Sequence, residues 1–233
     1  MFFLCFFMYF FLLLYNIRMK IISIGSACQV KFNIDRLFES QETHFFDWLI
    51  TDFKSVLQIL KNINNLELIT KSKFTDKEIF KPGKSWDISY HKIECIDFKM
   101  ISIHDFPSNI NYMDYMDEFI LKYNRRLDRL KNLINSDENI HMIHCLDHQF
   151  TDGYIITNDD IFNYKKYLCD INSNNNCFLH IVIPPKYNNI DFNNLIQDKV
   201  YVYYLHDTQQ GNNDWTNTNF NWNIIFDNIN NIG

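Results

Sequence analysis

Strands alternating with helices predict an α/β chain with a mainly parallel, mixed sheet flanked by helices, arranged as a Rossmann-like three-layer sandwich. Short β-branched runs recur along the chain, and amphipathic stretches of helical period separate most of them. Parallel neighbours need such crossover elements between them. Two runs at 88–95 and 98–103 follow one another without a helix, which reads as an antiparallel hairpin and makes the sheet mixed.

The elements follow in order. Residues 20–24 are Ile-rich and end at Gly25, and Val30, Ile34, Leu37 and Phe38 come next at helical spacing, giving a strand, a tight turn and a helix. A compact Phe45-Phe46-Asp47-Trp48-Leu49 segment leads to Asp52, the expected N-cap of a helix carrying Val56, Leu57, Leu60 and Ile63. Pro82-Gly83 marks a turn before the hairpin. Tyr112, Met116, Phe119, Ile120, Leu127, Leu130 and Ile134 recur at three- and four-residue steps, which predicts a long helix with one buried face. Strands are expected at 140–146, 178–183 and 200–205, with a helix at about 160–169. Trp222, Ile225, Phe226 and Ile229 predict a terminal helix.

Composition narrows the function classes. With 233 residues, 47% apolar and 17% aromatic, the chain is too apolar for intrinsic disorder. Its net charge of -6 removes the long-range attraction to phosphate backbones and anionic lipid, so a small-molecule or peptide substrate is expected and nucleic acid is not. The 30 asparagines suggest loops and, with the abundant Ile, Phe, Tyr and Lys, an AT-rich genome. The six cysteines include no C-x-x-C pair, which favours reduced thiols in an intracellular, cytoplasmic setting.

Residues 1–18 form a hydrophobic extension whose apolar run of fifteen falls short of the roughly 20 that a spanning helix needs. A short anchor, an extra helix and translated sequence upstream of a start at Met19 are the three readings, and the last is favoured. A single α/β domain is therefore expected over 19–233, with membrane contact only if residues 1–18 are retained.

In such folds ligands sit outside the carboxyl ends of the strands. The residues following the expected strands are Gly25-Ser26-Ala27-Cys28, His104-Asp105, Asp147-His148, Pro184-Pro185 and His206-Asp207. Cys28 stands at the first turn of a helix, where the dipole and unpaired N–H groups lower a thiol's pKa and the turn Gly25-Ser26-Ala27 offers an oxyanion site. A buried structural cysteine is the bland alternative. Ser26 is a rival nucleophile or the helix N-cap. His104 is the candidate general base, and Asp47 or Asp105 the carboxylate that orients it. Trp48, Arg125 and Arg126 are candidates for substrate binding, although an Arg125-Arg126-x-x-Arg129 run is more often a solvated helix face. Trp86, Trp215 and Trp222 line a cleft or fill the core. His141, His144, Cys145 and His148 would share a face on a helix, but on a strand His141 and His144 point oppositely, so no metal site is expected.

Ile24-Gly25-Ser26-Ala27-Cys28, Phe46-Asp47-Trp48-Leu49, Ile103-His104-Asp105-Phe106 and the arginine run together resemble the putative papain-like cysteine peptidase family. The resemblance implies a Cys–His hydrolase in which Cys28 matches the family cysteine, His104 the histidine, and Asp47 or Asp105 a supporting acid. Acyl transfer through a thioester at the strand carboxyl edge is the expected chemistry, with no metal or organic cofactor required. The strand-and-glycine lead-in is also similar to hydrolases of the SGNH type, which makes a serine esterase using Ser26 one alternative. A non-catalytic ligand-binding module is the other.

Overall fold

The structure is a computed structural model that describes residues 19–38, 42–65, 69–70, 72–80, 88–146, 154–174, 176–187, 189–206 and 221–232. The extension 1–18, Pro82-Gly83, Trp86, Asp147-His148, Asp207 and Trp215 lie outside the described residues, and so do the expectations made for them.

The chain is of the α/β class, with two sheets where one mixed sheet was expected. The first is parallel and contains β1 (Met19–Ser23), β6 (Asn139–Cys145), β7 (Cys177–Ile183) and β8 (Val200–Tyr204), in that spatial order. The second is antiparallel, in the order β2 (Leu49–Ile50), β5 (Met100–Ser102), β4 (Tyr90–Cys95) and β3 (Phe74–Phe80). The hairpin β4–β5 forms as its sequence predicts, but it pairs with β2 and β3 and never joins the parallel sheet. The strand β3 has no counterpart in the sequence reading. Its run Phe-Thr-Asp-Lys-Glu-Ile-Phe is too charged to alternate cleanly, and pairing with β4 brings cross-strand ion pairs Lys92–Glu78 and Lys77–Glu94 together with His91–Asp76.

The helices are α1 (Cys28–Phe38), α2 (Phe53–Asn62), α3 (Met113–Ile134), α4 (Asn158–Ile171) and α5 (Asn223–Ile232). Period-2 alternation along β6 and β7 divides the core. Ile140, Met142, Leu179, Ile181 and Ile183 pack with apolar residues of α2, α3 and α4. Ile143, Cys145 and Val182 pack with Val30 and Ile34 of α1 and with Ile225, Phe226 and Ile229 of α5. Both faces of the parallel sheet are thus covered, as parallel sheets require. Trp222 is fully buried in the second cluster, a core residue and not a cleft wall.

Local signals fix the helix starts. Asp52 caps α2 by accepting hydrogen bonds from the Ser55 N–H at 2.6 Å and the Ser55 hydroxyl at 2.7 Å. Thr157 and Asp160 form a reciprocal capping box at α4. Along α3 the buried residues are Met116, Phe119, Tyr123, Leu127, Leu130 and Ile134, one face of the predicted helix. Among the described residues no helix is long and apolar enough to cross a membrane.

Candidate active site

The two sheets meet at the turn after β1. Ile24 N–H donates to the Ile143 carbonyl at 2.9 Å, Cys145 N–H to the Gly25 carbonyl at 3.0 Å and Ser26 N–H to the Cys145 carbonyl at 3.1 Å, so the chain stays bonded to β6 through Ser26. There it changes partner. Ser26 forms an antiparallel bridge with Thr51, whose N–H donates to the Ser26 carbonyl at 2.8 Å. Thr51 directly follows β2, β2 pairs with β5, and His104 follows β5. That relay of strands brings the end of β1 beside the end of β5.

The result is a close contact between residues distant in sequence. Sγ of Cys28, the first residue of α1, lies 3.4 Å from Nε2 of His104. Gly25 makes the turn possible. Its φ is +114°, and a Cβ there would stand 2.5 Å from Thr51 Oγ1 and 2.6 Å from the Thr51 carbonyl oxygen. The Gly25–Ser26 peptide is cis. Ala27 packs with Ile50 and Ile103, an apolar patch adjoining both members of the pair.

The electrostatics run against the expected activated thiolate. Cys28 is only 5% exposed, and burial pushes its pKa up to about 12; its backbone N–H acts in the opposite direction, while the negative charges of Asp105 and Asp47 add to the rise. Desolvation exceeds the help of the helix terminus because the folded chain buries the thiol beside His104, a tertiary fact that local sequence does not carry. His104 is shifted below its ordinary value, chiefly by burial, with Asp105 opposing. The contact therefore favours a neutral thiol donating to a neutral imidazole.

Each candidate carboxylate has other work. Asp105 accepts from the Ser102 hydroxyl at 2.7 Å and from the Tyr123 hydroxyl at 3.2 Å, and Lys122 closes on its other oxygen. Asp47 is fully buried, accepts from the His44 N–H at 2.7 Å and lies 3.6 Å from Lys31 Nζ. Burial raises its pKa to about 6 although Lys31 acts the other way. These bonds lock the 44–48 segment beneath the site. Trp48 emerges from it with a φ of +66°, and its ring meets the His104 ring edge-on at 6.1 Å between centroids. Tyr90, the first residue of β4, meets His104 at the same separation.

The turn residues are mostly committed to the fold. Gly25 N–H approaches the Ser23 hydroxyl at 3.4 Å and Ser26 N–H serves Cys145, so the expected oxyanion donors at these two positions already have acceptors. Among the described residues the Ser26 hydroxyl is completely buried and has no hydrogen-bond partner, so no base stands beside it as His104 stands beside Cys28. Arg126 donates to the Asp47 carbonyl at 3.3 Å and lies over the Tyr123 ring, and Arg129 donates to the Thr43 carbonyl. Both tie α3 to the 43–47 loop. Arg125 is exposed on α3. His206 is exposed beyond β8, while His141 and His144 take opposite faces of β6, His141 bonding to His180 and His144 to the Ile24 carbonyl.

Sequence reasoning missed Tyr90 and Lys31. Tyr90 begins a strand like many tyrosines and carries no local signal. Lys31 had one: it sits beside Val30 and three residues before Ile34 on the apolar side of α1, where a lysine is out of place without a buried acid.

No curated protein and no solved structure matches the chain. One family profile does, over residues 19–149, a span that holds Cys28, Asp47, Trp48, His104, Asp105, Arg125 and Arg126 and more than half of the chain. The chain belongs to the family described as putative papain-like cysteine peptidase.

Proposed function

We propose that the chain is a cysteine-type hydrolase that transfers the acyl group of a small-molecule or peptide substrate through Cys28. The observation that carries this reading is the 3.4 Å contact between Cys28 Sγ and His104 Nε2 at the first turn of α1. A thiol and an imidazole in hydrogen-bond contact are the minimum pair for nucleophilic acyl transfer.

The chemistry follows from the neutral state of the pair. His104 Nε2 takes the Sγ proton as sulfur bonds to the substrate carbonyl carbon, so charge separation develops only as the bond forms. The carbonyl oxygen becomes an oxyanion, which the N–H groups at the start of α1, that of Cys28 among them, would receive. Collapse expels the amine or alkoxide, which receives the proton from His104. Water then gives a proton to His104 while its oxygen attacks the thioester, and sulfur leaves and is reprotonated. Asp47 and the 44–48 segment act as a positioning frame for Trp48 and His104.

The test is acylation with activated p-nitrophenyl esters, read by intact and peptide mass. The expected result is a transient acyl adduct on Cys28, absent in Cys28→Ala, and turnover reduced about 10²–10⁴-fold in His104→Ala. Ester turnover that persists in folded Cys28→Ala would exclude the mechanism, and a folded parent protein that never acylates would favour the non-catalytic binding module.

A further inference from the structure

We propose that Trp48 and Tyr90 form an aromatic slot at His104 that selects acyl donors whose group beside the reacting carbonyl is apolar and aromatic. This inference rests on the hydrolase reading for its chemistry and adds the substrate class. Three observations support it. The two rings stand edge-on to the imidazole, at interplanar angles of 88° and 70°, with equal centroid separations of 6.1 Å. Trp48, Tyr90 and His104 are all partly exposed, whereas Cys28 and the adjoining Ala27, Ile50 and Ile103 are buried. A ligand reaching the thiol would therefore pass aromatic faces and end on an apolar floor.

The third observation is the backbone of Trp48. A bulky side chain at φ +66° occupies a sparsely populated region, and such conformations persist only where the surroundings over-determine them. Here the surroundings are explicit: the Asp47 carboxylate binds the His44 N–H, Arg126 binds the Asp47 carbonyl, Leu49 N–H donates to the Phe46 carbonyl at 3.2 Å, and β2 begins at Leu49. Tyr90 is fixed comparably. It bridges Pro107, and the next residue, His91, donates its N–H to the Phe106 carbonyl at 2.7 Å, which folds 103–107 back along β4. Trp48, in the turn before β2, and Tyr90, at the start of β4, are thus each held by backbone hydrogen bonds of their own segment, as a preformed recognition slot requires. Aromatic neighbours gain attraction from ring geometry in addition to burial.

The experiment compares alkylation of Cys28 by N-benzyl iodoacetamide and N-methyl iodoacetamide under mildly alkaline conditions, read by peptide mass. The exposed Cys169 of the same molecule corrects for intrinsic reagent reactivity. The benzyl-to-methyl rate ratio at Cys28, divided by that at Cys169, is expected to be about 3–10. It should fall to about one in Trp48→Gly, where glycine accepts the positive φ, and in Tyr90→Ala, with circular dichroism confirming the fold. A corrected ratio of one in the parent protein, a ratio unchanged in both variants, or the absence of any Cys28 adduct with either reagent overturns the slot. Alkylation needs no turnover, so failure of the hydrolase reading shows separately, as ester hydrolysis that survives Cys28→Ala.

Discussion

Cys28 Sγ and His104 Nε2 approach to 3.4 Å across 76 residues of sequence, and both partners are shifted toward their uncharged forms. Both shifts favour a resting pair of thiol and imidazole over thiolate and imidazolium. Thiolate absorbance in the far ultraviolet, taken as the difference between the parent protein and Cys28→Ala, should show no step between about pH 5 and 9. A step centred below about 8 contradicts the neutral pair. The acid limb of kcat/KM for ester hydrolysis should fall below about pH 6.5, because His104 must be neutral to accept the proton and its pKa is lowered. A limb centred above 7 assigns the base elsewhere.

Much of this site was legible in the sequence, for identifiable reasons. A strand ending on Gly25 and running into a helix places Cys28 by local geometry, and an apolar run ending on His104 places the histidine by alternation. What local pattern does not encode is which strands pair. The Ser26–Thr51 bridge, which links the two sheets beside Cys28, joins residues on separate elements through backbone groups that any sequence offers. The sign of the Cys28 shift was lost for the same reason, since a helix terminus is visible in sequence and enclosure is not. Arg126 reads as a ligand-binding cation in sequence, but its bond to the Asp47 carbonyl depends on how the 43–47 loop lies against α3.

Gly25→Ala should be among the most damaging single substitutions in the chain. The added methyl would lie 2.6 Å from the Thr51 backbone oxygen, which cannot rotate away, and alanine at φ +114° is strained even in open space. Strain and overpacking together should cost on the order of 2–5 kcal/mol. Adding Thr51→Ala removes only the hydroxyl contact, so the double variant should recover little. A urea midpoint for Gly25→Ala close to that of the parent contradicts the packing described for the turn.

Lys31 is 3% exposed and faces three acceptors: the Asp35 carboxylate at 2.7 Å, the Glu42 carbonyl and the Asp47 carboxylate at 3.6 Å. Lys31→Met leaves Asp47 as an uncompensated buried charge, at a cost of about 3–5 kcal/mol. Lys31→Met with Asp47→Asn removes both charges and should restore most of that loss. Equal destabilisation in the single and double variants, measured by urea unfolding, rules out a coupled pair.

Acid should destabilise the fold through its buried histidines. The Tyr203 hydroxyl donates to Asn228 Oδ1, so it accepts from His180 Nδ1–H, and His180 Nε2 in turn accepts from His141 Nδ1–H. Among the described residues His141 Nε2 is buried with no hydrogen-bond partner, and a proton added to this row of groups breaks its polarity. Burial lowers His44, His141 and His144 to about 4 and His180 to about 3, from an ordinary 6.5. Below pH 6.5 the unfolded chain binds protons that the folded chain refuses, so stability is complete above 6.5 and declines toward pH 4. Each histidine contributes a slope of up to about 1.4 kcal/mol per pH unit. Asp47 opposes this, because its folded pKa is raised from 3.8 to about 6 and acidification through that window favours the folded state. These four histidines, with His104 shifted in the same direction, act against one carboxylate, and the urea midpoint should be lower at pH 5 than at pH 7. A midpoint that holds or rises on acidification means that these histidines are not neutral and enclosed in the folded protein.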